Sequence, residues 1–367
     1  MIRVGIIGVG NIASMLIQSI EYYRSTGKTS GLIHHRIGKY GIADINVVYA
    51  LDVSKHKVGK DLSEAIFAPP NLVPKLVDLR RTNVIVRMGK ILDGVADHML
   101  DDFPLSNDPE PSADELVREL SDVGLDALIN LLPVGSSKAT RFYAEVAARA
   151  GVSFINCIPE FIASDESFKA LYESNKATLL GDDIKGQLGA TIVHRALARL
   201  IAMRGGEIVE SYQLNVGGNT DFKNMLEQSR LHSKKISKTM AVASTQPEPH
   251  DAFNKIFAGP NGYIPFLGNT KVSYIYIKAS AFMGLPVTLD VKLVVDDKAM
   301  ASAVLVDVIR LTKVLHDSEV YGAPAWASGP YFKHPPQPVN SDEEALEGLY
   351  RHLDELKVEI EPRYALS

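Results

Sequence analysis

Short apolar runs alternate with amphipathic stretches along the first half of the chain. Arg3–Ile7 is a strand-length apolar run, Ile12–Tyr23 carries its apolar residues at helical spacing, and Asn46–Leu51 returns to strand character. Ala127–Leu132 precedes a helical pattern over Ser137–Ala150; Ser153–Ile155 follows, then Thr178–Leu180 and a helix running to about Arg204. Continuous apolar runs bounded by helical segments are the signature of strands buried on both faces. The alternation therefore predicts a doubly wound parallel sheet of the α/β, Rossmann type. Ile66–Pro111 breaks the rhythm with Pro69, Pro70, an acidic Asp101-Asp102 and a Pro-rich run from Pro104 to Pro111. It reads as a surface excursion without chemistry.

Beyond about Arg204 the runs become longer and β-rich: Ser211–Val216, Val272–Ala279 and Val287–Val295, separated by a polar, lysine-bearing segment. A second, α+β domain is expected there. Ser302–His316 and Glu343–Leu356 are helical again, across a Pro-rich connector from Lys333 to Pro338. The expected division is residues 1–200 for the first domain, completed by 310–367, with 201–309 as the second.

Composition narrows the function classes. The chain has 367 residues, enough for two cores without staples, and 39 Lys plus Arg against 44 Asp plus Glu. A net charge of -5 gives no global attraction to nucleic acid or an anionic membrane, so any basic site is local. Cys157 is the single cysteine, which excludes an intrachain disulfide and a Cys-based zinc site. With no leader-like N-terminus and no apolar run of the ~18 residues a membrane span needs, a cytoplasmic protein is expected.

Gly8-Val9-Gly10-Asn11-Ile12-Ala13 lies between a strand and a helix, the context that a dinucleotide fingerprint requires. Gly8 permits the tight turn, Gly10 removes a side chain that would block a pyrophosphate, and Ala13 lets helix and strand approach. The helix N-terminus then offers free N–H groups to an anion. Asp52 closes the second main strand and is placed to accept from an adenosine ribose, which favours NAD over NADP. Its distance from the glycines exceeds the usual ~20 residues, across an insertion from about Arg24 to Asp44. Lys55 and Lys57 would weaken that preference if turned inward. Pro133 and Ser136, in Leu132-Pro133-Val134-Gly135-Ser136, end another strand and are expected at the same crevice.

Three later segments gather polar residues in apolar surroundings: 181–187 with Asp182 and Asp183, 215–221 with Asn219 and Asp221, and 233–238 with Lys234, Lys235 and Lys238. If Ser233–Lys238 begins a helix, Lys234 and Lys238 share one face and Lys235 points elsewhere. Two ammonium groups on one face repel, which suggests an anion between them; a sugar phosphate would suit. Taken alone, the run is equally a solvated basic face, and the acidic and Asn-containing segments are equally turns or caps. Hydrolase, NTPase, deaminase and metal-site motifs are absent.

In this order, GVGNIAS (8–14), GDDIKGQ (181–187), LNVGGNTDFKNM (214–225), SKKISK (233–238), YIPFLGNTK (263–271), VDDKAMASA (295–303) and GPYFKHPP (329–336) resemble myo-inositol-1-phosphate synthase, most closely its short prokaryotic form. The resemblance implies NAD-dependent conversion of D-glucose 6-phosphate into 1L-myo-inositol 1-phosphate. In that reaction C5 is oxidised, a C6 proton is removed, the enolate closes on the C1 aldehyde, and the hydride returns to C5. It carries over Lys234, Lys238, Lys271 and Lys333 as active-site lysines, with Asp183, Asn219, Asp221 and Asp297 as polar partners. Lys234 and Lys333 are expected near the C5 oxygen, and Lys238 and Lys271 at the phosphate or the aldehyde. The cofactor side is expected to comprise Gly8, Gly10, Asn11, Ile12, Asp52, Pro133, Ser136 and Asp182.

The resemblance further implies a homotetramer held through the middle segment. Short-branch members can use a divalent cation near cofactor and phosphate, but no ligand cage is readable here. His334 stands where related sequences often have a small residue. Alternatives are a paralogue doing the same chemistry on another sugar phosphate, or giving another inositol phosphate isomer, and a non-catalytic NAD-binding regulator.

Overall fold

The structure, a computed structural model, describes residues 1–227 and 230–362. The end of the expected closing segment, 363–367, lies outside the described residues. β1 (Ile2–Ile7) turns through Gly8 into α1 (Asn11–Thr26), and a short β2 (His34–Ile37) precedes β3 (Ile45–Asp52). α2 (Leu62–Ala65) leads into the excursion, whose regular elements are β4 (Arg87–Met88) and a 3-10 turn at Asp97–Met99, before α3 (Ala113–Val123). Then β5 (Ala127–Asn130), α4 (Ser137–Arg149), β6 (Ser153–Asn156), α5 (Glu166–Ser174) and β7 (Leu179–Leu180) complete the first unit.

The first sheet runs β4-β3-β1-β5-β6-β7, with every pairing parallel. The strand order reverses between β1 and β5, and ligands bind beyond the carboxyl ends of strands at such a switch point. Ile2, Val4 and Ile6 face one core with α1, and Ile7, Leu51, Leu128 and Phe154 face another with α3 and α4. Two-sided burial explains the unbroken apolar runs.

The second unit contains α6 (Ala190–Met203), β8 (Glu207–Gly217), α7 (Thr220–Asn224), α8 (His232–Ala243), α9 (Pro249–Lys255), β9 (Ile256–Tyr263), β10 (Thr270–Ser280) and β11 (Pro286–Asp296). Its mixed sheet is ordered β11-β10-β8-β9; β8 and β9 are parallel and the other neighbours antiparallel. Ile208, Ile275 and Ile277 point to a core with α6, α8 and α9. On the other face Tyr212, Tyr274 and Val294 are exposed. The expected α/β Rossmann-type sheet with a separate α+β unit is what forms.

The chain then returns as α10 (Asp297–Asp317), α11 (Ala325–Ser328), α12 (Asp342–Glu355) and β12 (Ile360–Pro362), which pairs with β2. Val304, Leu305, Val308, Ile309, Leu349 and Leu353 join the β1 core. Both expected seams move as a result. A boundary at 200 cuts α6, whose Ala190 and Ala198 pack on the second sheet, and a return at 310 cuts α10, already in the first core at Val304. α6 turns its buried residues to the second sheet, and α10 is buried on all sides from Val304 to Thr312 within the first core, so neither helix is divided at the expected positions. Among the described residues no helix is long and apolar enough to cross a membrane.

Candidate active site

One cavity opens at the carboxyl edge of the first sheet and continues beneath the second unit. It reaches from Asp52 and Lys57 to Lys234, Lys238, Lys271 and Lys333. Gly8 adopts φ +89°, and a Cβ on it would stand 2.9 Å from the Leu131 carbonyl oxygen. A Cβ on Gly10 would meet no protein atom within 4 Å, so this position leaves open space against the cavity. The N-terminus of α1 has no side-chain cap and no acidic residue in its first turn. Its N–H groups and positive dipole end stay available to an anion. The residues present fit a dinucleotide's diphosphate.

Asp52 works mainly on the protein. Its Oδ2 accepts from Val9 N at 2.8 Å, and its Oδ1 from Val53 N and Ser54 N at 2.8 and 2.9 Å. It thereby clamps the glycine turn to the end of β3 while still lining the cavity. Lys57 does turn inward: it is 1% exposed, donates to Asn71 Oδ1 at 3.1 Å and lies 3.8 Å from Asp52 Oδ2. Asn11, Ile12 and Pro133 line the cavity. Ser136 does not: it is fully buried, donates to the Pro133 carbonyl at 2.7 Å, and receives a bond from Arg230.

Asp182 and Asp183 have opposite fates. Asp183 has φ +61°, and the two neighbouring carboxylates part company. Asp182 is wholly buried away from the cavity, accepting from Asn156 Nδ2 at 2.7 Å and from Ile162 N and Ala163 N. Burial pushes its pKa up to about 7 despite these donors. It holds the 156–164 wall and does not line the cavity. Asp183 lines the cavity and accepts from Lys333 Nζ at 2.8 Å, Lys234 Nζ at 3.1 Å and Ser237 Oγ at 2.8 Å. Burial alone would raise its pKa, but the two ammonium groups hold it well below the usual carboxylate range.

α8 begins at His232, so Lys234 and Lys238 do stack on one face. Lys234 loses solvation, yet Asp183, Asp221 and Asp297 together raise its pKa, and it stays an ammonium. Lys333 is lowered to about 8 by burial and by Lys234 and Lys271, against Asp183. Lys238 is 5% exposed and has no hydrogen-bond acceptor for its Nζ among the described residues. Burial, then Lys271, Lys234 and Lys333, press it well below the ordinary lysine value.

Lys271, from β10, donates to Asp297 Oδ1 at 2.7 Å. Asp297 is held far below the usual carboxylate range: burial opposes this, while Lys271, Lys298 and Lys238 enforce it. Asn219 caps α7 through Asp221 N at 3.1 Å and Phe222 N, is buried, and does not line the cavity. It thereby fixes the backbone of Asp221. His334 stacks on Phe161 at 3.9 Å. Among the described residues no three His, Cys, Asp or Glu side chains gather as a metal site.

Residues 189–298 match the sequence profile of the myo-inositol-1-phosphate synthase family. An inositol-3-phosphate synthase from Mycobacterium tuberculosis is 43% identical over 344 residues, 93% of each chain. The chain belongs to the myo-inositol-1-phosphate synthase family. A Corynebacterium glutamicum inositol-3-phosphate synthase is 40% identical over 93% of this chain and 95% of its own length. The same fold occurs in a myo-inositol-1-phosphate synthase-related protein from Thermotoga maritima. That structure has a TM-score of 0.79 and 24% identity, over 99% of this chain and 100% of that one. The expected enzyme family is thus borne out.

Sequence reasoning missed two parts of this family member's cavity and left Lys57, which lines it, as an open alternative. Lys298 lines it too. So does the excursion, which was expected to carry nothing. Val95, Ala96, Met99 and Phe103 form part of the wall, Asp102 accepts from Lys223 Nζ at 2.6 Å, and Asp93 caps α4 at Lys138 N and Ala139 N. A Met and a Phe spaced four apart were the available signal.

Proposed function

We propose that this protein converts D-glucose 6-phosphate into 1L-myo-inositol 1-phosphate in an NAD-dependent cyclisation without net redox change. One observation carries the reading. Lys234, Lys238, Lys271, Lys298 and Lys333 line one end of the cavity with only Asp183, Asp221 and Asp297. Five potential cations against three carboxylates suit a substrate that arrives with a phosphate and develops oxyanions in turn.

NAD, when bound, supplies the hydride acceptor that turns C5 into a ketone and the hydride that restores it. The remaining work belongs to side chains. Lys333, lowered to about 8, takes the C5 hydroxyl proton and returns it, steadied by Asp183. The C6 protons become acidic only beside a ketone, and the amine of Lys238, its pKa pressed down by burial and by Lys271, Lys234 and Lys333, accepts one of them. Lys234, kept charged by three carboxylates, faces the enolate oxygen. Lys271, fixed on Asp297, faces the C1 oxygen as the aldehyde becomes an alkoxide. Fixed cations aimed at developing charge lower the barriers more than they stabilise the ground state.

The exposed outer face of the second sheet, with Tyr212, Tyr274 and Val294, supports assembly into a homotetramer, which sedimentation would measure. No nucleic-acid or membrane partner enters this reading. Incubating the purified protein with NAD and glucose 6-phosphate tests the reaction. Inositol phosphate should accumulate without net NADH; absence of product, or stoichiometric NADH, rejects the proposal.

A further inference from the structure

We propose that Lys298 is a substrate-contacting lysine that holds the phosphate group from the first turn of α10, and so helps set specificity for phosphorylated sugars. This rests on the reaction assigned above and concerns a residue to which that reaction gives no role.

The position is fixed before any ligand arrives. β11 ends at Asp296, whose carboxylate caps α10 by accepting from Lys298 N at 3.0 Å and Ala299 N at 2.9 Å. The backbone of Lys298 is thus pinned, and its side chain, with the residue 5% exposed, runs along the cavity wall. The Nζ lies 3.6 Å from Asp221 Oδ2 and 3.9 Å from Asp297 Oδ2. Those separations give charge compensation but exceed the 2.7–3.2 Å of an N–H···O hydrogen bond. Asp297 already receives Lys271 at 2.7 Å. The Lys298 ammonium therefore has no hydrogen-bond acceptor among the described residues and lies beside the cavity. A buried ammonium without acceptors is costly, and an arriving anion removes that cost.

The partners of the other lysines point the same way. Each of the other lysines already has a task or a partner: Lys234 and Lys333 share Asp183, Lys271 is bonded to Asp297, and Lys238 receives the C6 proton in the reaction proposed above. A dianion held against Lys238 would force its protonation. The phosphate therefore belongs on the Lys298 and Lys271 side.

A cofactor contact is the competing assignment. Ser302, one turn further along α10, donates to the Ile12 carbonyl at 3.3 Å, so the helix does approach the start of α1. The Lys298 ammonium nevertheless sits beside Asp221 and Asp297, the carboxylates of the lysine cluster, which places it with the substrate.

The test uses the full chain saturated with NAD and inorganic phosphate as the probe, by calorimetry. Lys298→Met should weaken phosphate binding and raise the KM for glucose 6-phosphate, each roughly 10- to 100-fold as expected for one charge-assisted hydrogen bond, with the NAD Kd unchanged within about twofold. Lys298→Arg should recover most of the phosphate affinity. If Lys298→Met does not fold, Lys298→Gln gives the same readout. Unchanged phosphate affinity in a folded variant overturns the proposal, as does weaker NAD binding with phosphate affinity intact, or a fall in kcat with KM unchanged. If wild type binds phosphate through Lys298 yet yields no inositol phosphate, the reaction assignment falls and the phosphate site stands.

Discussion

Asp183→Asn keeps the shape of the central carboxylate and deletes its charge. Asp183 is 1% exposed and bonds Lys333 at 2.8 Å and Lys234 at 3.1 Å. At an effective dielectric of about 20, each contact represents roughly 5–6 kcal/mol of gross attraction. The loss is smaller than the sum because a lysine can shed its proton. With a pKa of about 8, Lys333 does so at pH 7 for about 1.4 kcal/mol. Lys234 then remains a buried ammonium with only Asp221 and Asp297 to compensate it. A net destabilisation of about 3–5 kcal/mol follows, as when one partner of a buried ion pair is removed.

Urea unfolding of wild type and variant at pH 6 and pH 9 measures it. Asp183, depressed in the folded state, contributes fully across this range. Lys333 has a folded pKa below its unfolded value, so the unfolded chain binds more protons above about pH 8 and wild-type stability rises there. Without Asp183 the lysine pKa drops further, the rise starts at lower pH, and the gap between the proteins narrows from pH 6 to pH 9. Asp183→Asn combined with Lys333→Met should be no less stable than Asp183→Asn alone. A variant within about 0.5 kcal/mol of wild type, a gap independent of pH, or simple additivity in the double variant would refute the reasoning.

Lys238→Met should lower kcat by about 10²- to 10⁴-fold, the usual worth of general base catalysis. Unfolding and NAD titration should show stability and cofactor affinity maintained, since no bond to Lys238 is lost. The wild-type kcat/KM should fall as pH drops below about 8, where Lys333 gains its proton, and a pH-rate profile of Asp183→Asn should place this limb lower. Gly10→Val should fold, because a Cβ there meets no protein atom within 4 Å, yet calorimetry should show NAD binding reduced by at least about tenfold.

The first sheet was legible because strands buried on both faces leave unbroken apolar runs, and helix spacing intervenes. β9 was not: its IFAGPNGY contains a proline and two glycines, tolerated because it is the outer strand beside β8. The pair Lys234 and Lys238 was readable from helical spacing alone. Lys57 stayed an open alternative because a lysine after a strand is normally solvated, and its partner Asn71 is 14 residues away. Asp182 and Asp183 were both expected at the site, on the cofactor side and with the lysines, but the chain turns one into the wall and one into the cavity, with a positive φ at Asp183. Lys298 resembled an ordinary first-turn helix residue; only the crossing of α10 from the second sheet to the first brings it to the site.

The central claim is that one bound dinucleotide oxidises and then reduces the same carbon while the lysines manage the intervening anions. Glucose 6-phosphate deuterated at C5, turned over with substoichiometric NAD, tests it directly by mass spectrometry of the product. The account predicts inositol phosphate that keeps the deuterium on the carbon derived from C5, with none gathering in free NADH. Product without deuterium, or label lost to the free nucleotide pool, would contradict it.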